Sequence, residues 1–120
     1  MTPSTIERLD NGAGIVVRPM RLAPGVARQV WLDAGAADDP EDLPGMAHLL
    51  EHLLFKGNPS RRFQDLVATV EAVGGSFEAW TSHDHTVYEL LLPSRHLRLG
   101  LDVLADALGP LSVDPDVIAR

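Results

Sequence analysis

Residues 45–55 of this chain carry the apolar period of an amphipathic helix, and their sequence is Gly45-Met46-Ala47-His48-Leu49-Leu50-Glu51-His52-Leu53-Leu54-Phe55. At about 100° per residue, such a helix would place His48, Glu51 and His52 within about one quarter of its circumference. Met46 and the leucines would occupy the opposite side. The pattern therefore predicts a helix over residues 44–56 with one apolar face and one face that gathers two imidazoles and a carboxylate.

Two histidines four residues apart on a helix are suited to binding one zinc ion. Side chains at i and i+4 lie one turn apart, so both imidazoles can reach zinc at about 2.0–2.1 Å. Zinc with three protein ligands keeps a position for water and lowers the pKa of that water towards about 7. Glu51 could then accept the water's proton and pass it to a leaving amine. The order His-x-x-Glu-His is the inverse of the commoner zinc signature. The alternative is a core helix with histidines hydrogen-bonded at its edge.

Four strands are predicted around this helix. β-branched residues over 14–18 and 26–34, which follow the turn signals Asp10-Asn11-Gly12 and Pro24-Gly25, suggest a hairpin. Two further strands are predicted over 77–81 and 86–92. Together with the helices, they predict an α+β fold in which an antiparallel sheet has helices packed on one face.

Two more helices are predicted, over residues 61–73 and 94–108, from their apolar spacing. The inner face of the last one would carry Leu97, Leu101, Leu104 and Leu108. Gly57 is suited to the left-handed position that ends the first helix. The acidic residues Asp39, Glu41 and Asp42 precede that helix and would interact favourably with its N-terminus.

Composition excludes several function classes. The 120 residues contain no cysteine, which excludes disulfides, thiolate zinc sites and cysteine nucleophiles. The formal net charge of −7 makes a nucleic-acid partner unfavourable. No apolar run approaches the roughly 18–20 residues of a membrane span, and no leader pattern opens the chain. A cytoplasmic protein without a membrane partner is therefore expected.

Residues 45–57 resemble the zinc-site helix of the pitrilysin/insulinase family of inverted-motif metallopeptidases, to which insulin-degrading enzyme and the mitochondrial processing peptidase belong. The resemblance extends, in the family's order, to residues 9–12, 73–82, 86–88 and 101–106, and so covers nearly the whole chain. Another inverted-motif enzyme, S-ribosylhomocysteinase, needs a cysteine at its metal site. The absence of cysteine discards that alternative.

The resemblance assigns roles to individual residues. His48 and His52 would be zinc ligands, and Glu51 would be the catalytic base. An extended peptide substrate would add to a strand made of Phe77, Glu78, Ala79, Trp80 and Thr81. Trp80 would line the pocket beside the scissile bond, or it is an ordinary strand aromatic. Glu78 departs from the pattern, since relatives often have asparagine there. His83 and His85 lie in a polar turn, where a surface position is favoured over a ligand role.

The resemblance also implies a zinc metalloendopeptidase that acts on peptides or small proteins. Residues 1–120 would be the N-terminal portion of its catalytic domain, a ferredoxin-like half-unit that is incomplete at its C-terminus. The family's third zinc ligand, a glutamate on a later helix, is expected beyond Arg120, and a second homologous half or subunit is expected as partner. This portion alone would be inactive or weakly active. The alternative function is a non-catalytic peptide-binding or scaffold subunit of the same fold.

Overall fold

The computed structural model describes residues 3–56 and 62–110, which form antiparallel strands covered by helices. The strands are β1 (Thr5–Arg8), β2 (Gly14–Val17), β3 (Gly25–Leu32), β4 (Ser76–Thr81) and β5 (Thr86–Pro93). The helices are α1 (Met46–Lys56), α2 (Phe63–Glu71) and α3 (Leu97–Ala107), and short 3-10 turns occur at Ala36–Asp38 and Ser94–His96. The predicted α+β class is confirmed. The predicted helix end at Gly57 and helix start at residue 61 lie outside the described residues.

The hairpin in the first third of the chain differs from the predicted one. β2 pairs antiparallel with β1, whereas β3 belongs to another sheet, so the predicted pairing of residues 14–18 with 26–34 is wrong. The turn between β1 and β2 explains the difference. Gly12 has a φ of 88°, and the Asn11 side-chain oxygen accepts a hydrogen bond from Ala13 N at 3.0 Å. These residues reverse the chain at once, so the segments on either side of the turn pair with each other.

The main sheet has the strand order β3-β5-β4, and both pairings are antiparallel. β3 and β5 each contain eight residues and pair along their full length, from Gly25 opposite Pro93 to Leu32 opposite Thr86. β4 pairs with the other side of β5, and its last residue, Thr81, also lies opposite Thr86. β5 is therefore the central strand, and β4 is an edge strand of this sheet.

The hydrophobic core lies between β5 and the helices α2 and α3. Its buried members are Leu66, Val70, Tyr88, Leu90, Leu92, Val103 and Leu104. Val70 and Leu90 have no exposed surface, and each side chain of this kind contributes about 1.5–3 kcal/mol when it is fully buried. The core therefore fixes one face of the sheet against α2 and α3.

α3 packs on β5 through a smaller set of residues than the leucine spacing predicts. Its buried residues are Gly100, Val103 and Leu104. Leu97 and Leu101, which were expected on the inner face, are 48% and 57% exposed. A Cβ atom at Gly100 would lie only 2.6 Å from a side-chain carbon of Leu92. This close approach turns the glycine towards the sheet and the two leucines outward.

The segment between β3 and α1 is held against the turn that joins β4 to β5. Ala36 N donates a hydrogen bond to Ser82 O at 3.0 Å, and Ala37 N donates one to His83 O at 2.7 Å. Gly35 is buried there, and a Cβ atom at this position would lie 2.6 Å from the backbone nitrogen of His85. The segment therefore enters α1 from a fixed position.

The helices of the described residues have between nine and eleven residues. Within residues 3–56 and 62–110, no helix has both the length and the apolar character needed to cross a bilayer. The cytoplasmic location stays a prediction.

Candidate active site

The N-terminus of α1 is held by a carboxylate from the preceding segment. Asp39 accepts hydrogen bonds from Gly45 N and Ala47 N, both at 2.7 Å. Such an acceptor satisfies backbone donors that lack helical partners, and it contributes about 0.5–2 kcal/mol. The predicted interaction of acidic residues with this helix end is therefore found for Asp39, and it orients the helix that carries the histidines.

His48 and His52 bring their ring nitrogens together on the exposed side of α1. Their Nε2 atoms lie 3.1 Å apart, with ring centroids at 4.5 Å and an angle of 77° between the ring planes. Two imidazoles bound tetrahedrally to one zinc ion would hold these atoms about 3.3 Å apart. The same distance allows a hydrogen bond in which one Nε2 carries the proton. The pair therefore fits two of the ligands that zinc needs.

A third ligand does not accompany this pair in the described part of the chain. Within residues 3–56 and 62–110, no group of three or more His, Cys, Asp or Glu side chains could hold a metal ion. Glu51, although it lies between the two histidines in the sequence, is therefore not placed as a ligand beside them. The predicted third ligand beyond Arg120 lies outside the described residues.

Glu51 is buried beneath α1 and reaches β4. Glu51 is only 7% exposed, and its Oε2 atom accepts a hydrogen bond from the hydroxyl of Thr81. A buried carboxylate is costly unless it is hydrogen-bonded, so this contact satisfies one of its oxygens. The contact joins the predicted base to the end of the strand that was predicted to hold the substrate.

Tyr88 of β5 lies close enough to Glu51 to respond to its charge. Burial raises the pKa of Tyr88 to about 12, and the negative charge of Glu51 adds to this shift. Both residues line a cleft of about 190 Å³ whose walls also include Leu32, Ala34, Leu50 and Leu54. The Glu51 carboxylate therefore faces mostly apolar surroundings, next to a phenol that stays protonated at neutral pH.

The burial of α1 differs from the predicted pattern of one apolar and one polar face. Leu49 and Leu50 are 46% and 45% exposed, whereas Leu53 and Glu51 are each 7% exposed. The reason is that α1 packs against β4 on one side and against α2 on another. The two histidines are exposed, but the Glu51 carboxylate, which was predicted on the same face, is buried.

The predicted substrate strand coincides with the edge strand β4. Phe77 and Ala79 pack against the core, whereas Glu78 is exposed and Trp80 is 38% exposed. Thr81 instead contacts Glu51. Substrate binding by these five residues stays a prediction, and so does the choice between a pocket role and an ordinary strand role for Trp80.

His83 and His85 lie in the turn between β4 and β5. His85 stacks on Trp31, with ring centroids 4.9 Å apart, and its Nδ1 atom lies 2.6 Å from Asp84 Oδ1. Hydrogen bonds from Ser82 and His85 hold the pKa of Asp84 below its usual range. Local contacts thus explain His85, while His83 is exposed.

Sequence reasoning missed two residues beside Glu51. The hydroxyl of Thr81 was assigned to a substrate strand, and Tyr88 was treated only as part of a strand. The available signal was the pairing of the strands that contain them, because Ala79 lies opposite Tyr88 and Thr81 opposite Thr86. Alternation along β4 then puts Ala79 and Thr81 on the same face of the sheet as Tyr88.

Comparison with known sequences gives one family. The family model described as insulinase (peptidase family M16) matches residues 17–120. The mitochondrial-processing peptidase subunit beta of Blastocladiella emersonii is 33% identical over 115 residues, which cover 96% of this chain and 25% of that protein. An uncharacterized zinc protease of Mycobacterium leprae is 33% identical over 114 residues, which cover 93% of this chain and 26% of that protein. The chain thus spans about a quarter of the length of these relatives.

Solved structures show the same fold. A protease from Helicobacter pylori superposes with a TM-score of 0.91 at 26% identity, over 98% of this chain and 29% of that chain. Pitrilysin superposes with a TM-score of 0.84 at 28% identity, over 98% of this chain and 13% of that chain. An inactive peptidase M16 domain from Pseudomonas fluorescens, with a TM-score of 0.85 and 22% identity, shows the fold alone.

Proposed function

Because this chain belongs to the insulinase family of peptidases, peptidase family M16, we propose that it is the N-terminal portion of the catalytic domain of a zinc-dependent endopeptidase. His48 and His52 would hold zinc, and Glu51 would be the general base. The 3.1 Å separation of the two Nε2 atoms carries this proposal, because it agrees with the spacing of two imidazole ligands on one zinc ion. Relatives that are named zinc proteases support it.

The chemistry of the chain's own residues follows from the contacts of Glu51. When bound, zinc supplies Lewis-acid chemistry, which acidifies a water molecule and polarises a carbonyl group. Glu51 takes a proton from the attacking water and returns it to the amine that leaves. The Thr81 hydroxyl holds the carboxylate at Oε2, and most side chains that line the cleft around it are apolar. Electrostatic interactions are stronger in such surroundings.

The edge strand β4 is the proposed binding element for the peptide. An extended peptide can hydrogen-bond to the backbone of an edge strand, and side-chain pockets then give specificity. Among the described strands, β4 pairs with β5 alone. The side chains of Glu78 and Trp80 on β4 are exposed. These residues would contact the substrate. Because Thr81 contacts Glu51, a peptide bound along β4 would have its scissile bond near Glu51.

The remainder of the peptidase is proposed to include a third zinc ligand and a second homologous half or subunit. The relatives are about four times as long as the matched segment. Large apolar side chains are also exposed in the described residues, among them Leu49 and Leu50 on α1 and Leu22, which is 97% exposed. Singly exposed apolar side chains are common at protein surfaces, so the length of the relatives carries this proposal.

Zinc content tests the ligand assignment. In the full-length protein, His48→Ala should lower the zinc stoichiometry measured by atomic emission to background. His83→Ala is the matched control, because His83 is also an exposed histidine but lies in the turn after β4, and it should keep the wild-type zinc content. Equal zinc content in both variants would contradict the assignment.

Peptide hydrolysis tests the role of Glu51. The full-length Glu51→Gln variant should retain zinc and lose turnover of a quenched fluorescent peptide by a factor of about 100 or more. If the wild-type protein binds zinc and the peptide but does not cleave it, the non-catalytic peptide-binding subunit is the better description. Wild-type turnover by Glu51→Gln would instead remove Glu51 from the mechanism.

A further inference from the structure

The contact between Thr81 and Glu51 connects two elements that are far apart in the sequence. Glu51 is on α1 and Thr81 is the last residue of β4, and the Thr81 hydroxyl donates to Glu51 Oε2. In residues 3–56 and 62–110, the buried polar or charged residues are Glu51 and Thr86. The protein therefore buries a carboxylate at a place where a hydroxyl meets it.

The position of the Thr81 hydroxyl is fixed by the sheet. Thr81 lies opposite Thr86 at the end of the β4–β5 pairing, and the turn that follows is closed by a hydrogen bond from Ser82 N to His85 O at 2.8 Å. Thr86 is itself held by a hydrogen bond from its hydroxyl to Ala34 O at 2.9 Å. Threonine is β-branched, so its side chain has few rotamers.

We propose that Thr81 is a positioning residue, which holds Glu51 by Oε2 so that Oε1 is the oxygen that exchanges the proton with water and the leaving amine. This inference rests on the proposed function of Glu51. A glutamate side chain has several rotatable bonds, and a base loses efficiency when it is displaced from the reacting atoms. Since Thr81 ends β4, one rigid element would set the positions of both the base and the bound peptide.

A purely structural role for Thr81 makes a different prediction. The hydroxyl would then only satisfy a buried carboxylate, and its loss would lower stability without changing the turnover of the molecules that remain folded. A positioning role lowers kcat in folded enzyme and leaves KM and zinc content unchanged. The stability and the kcat of the same Thr81 variant therefore separate the two roles.

Steady-state kinetics of the full-length protein provide the first test. Thr81→Val should lower kcat between about 10- and 100-fold with little change in KM, and Thr81→Ser should restore most of kcat because it keeps the hydroxyl. Thr81→Ala also removes the hydroxyl, and it serves if the valine variant does not fold. Thr69→Val is the control, since it removes an exposed hydroxyl that donates to Asp65 O at 2.7 Å, and it should leave kcat unchanged.

Thermal unfolding without zinc provides a readout that is independent of turnover. Thr81→Val should lower Tm in the wild-type background but much less in a Glu51→Leu background, because the contact is already absent there. Equal shifts in the two backgrounds would show that the residues do not interact, which would overturn the inference.

The outcomes also distinguish this inference from the proposed function. If Glu51→Gln abolishes turnover while Thr81→Val keeps the wild-type kcat, Glu51 is the base and the positioning role of Thr81 is wrong. If Glu51→Gln has wild-type turnover, the proposed function of Glu51 fails, and the inference fails with it.

Discussion

The Nε2 atoms of His48 and His52 lie 3.1 Å apart on the exposed side of α1. This distance requires nothing from the sheet, because side chains at i and i+4 of any helix lie one turn apart. What the rest of the fold supplies is the fixed helix N-terminus and the burial of Glu51. Substitutions can therefore remove the histidine pair or its supports separately.

Zinc should stabilise the full-length protein through His48 and His52. A ligand that binds only the folded state at 100 times its Kd adds about 2.7 kcal/mol to the free energy of unfolding. Differential scanning calorimetry should show a rise in Tm on zinc addition that a chelator reverses. His52→Ala should lose this rise, whereas His83→Ala should keep it. A wild-type rise in the His52→Ala variant would show that zinc stabilises through another site.

Removal of the Asp39 carboxylate should destabilise the fold. Asp39→Ala leaves Gly45 N and Ala47 N without their acceptor, which should cost about 1–2 kcal/mol of the free energy of unfolding in urea. Glu41→Ala is the control, because Glu41 is an exposed acid of the same segment. If both variants lose the same stability, the net charge of the segment matters and the specific hydrogen bonds do not.

Gly35→Ala should destabilise the protein through a steric clash. The new Cβ would lie 2.6 Å from the backbone nitrogen of His85, and backbone atoms cannot move aside without breaking the hydrogen bonds around the turn. The expected cost is about 1–3 kcal/mol in urea unfolding. Gly14→Ala on β2 meets nothing within 4 Å and should change stability by less than about 0.5 kcal/mol. A neutral Gly35→Ala variant would contradict the close packing of this segment.

Tyr88 should titrate at unusually high pH. It is the chain's single tyrosine, so phenolate absorbance of the 120-residue chain reports it alone. Its pKa of about 12 in the folded state exceeds the value of 10.0 expected without the fold. The folded state then holds the proton more tightly, so the stability contributed by this group is complete below pH 10 and is lost as the pH rises from 10 to 12.

The same titration checks the proximity of Tyr88 and Glu51. Glu51→Gln should lower the pKa of Tyr88, because the negative charge of Glu51 is, after burial, the second cause of the raised pKa. Glu78→Gln removes an exposed carboxylate and should leave this pKa nearly unchanged. An identical pKa in folded and urea-unfolded protein would contradict the burial of the phenol.

The parts of the site that sequence could predict are the local ones. The spacing of His48 and His52 follows from helix geometry, and the helix itself follows from apolar periodicity and an acidic residue before its first turn. The elements β4, β5 and α2 were also predicted to within a few residues in the described part of the chain. Each of these features depends on residues that are close to it in the sequence.

The features that failed depend on partners far along the chain. The turn at Gly12, which the sequence indicates, pairs β2 with β1. Its consequence, that β3 pairs in another sheet, was not predicted. The burial of Glu51 and the exposure of Leu50 depend on where α1 meets β4, and no periodicity within α1 contains that information. Similarly, the outward position of Leu101 follows from the contact of Gly100 with Leu92.

The pairing of β3 with β5 has a consequence for how this protein folds. α1, α2 and β4 all lie between these two strands in the chain, so the sheet cannot close until the ribosome has made β5. Such distant pairings slow folding, because a large loop must be ordered before contacts reward it. The spacing of His48 and His52, in contrast, depends on α1 alone. Glu51 acquires its burial and its Thr81 contact only afterwards, so the proposed general base reaches its position only when β5 has joined the sheet.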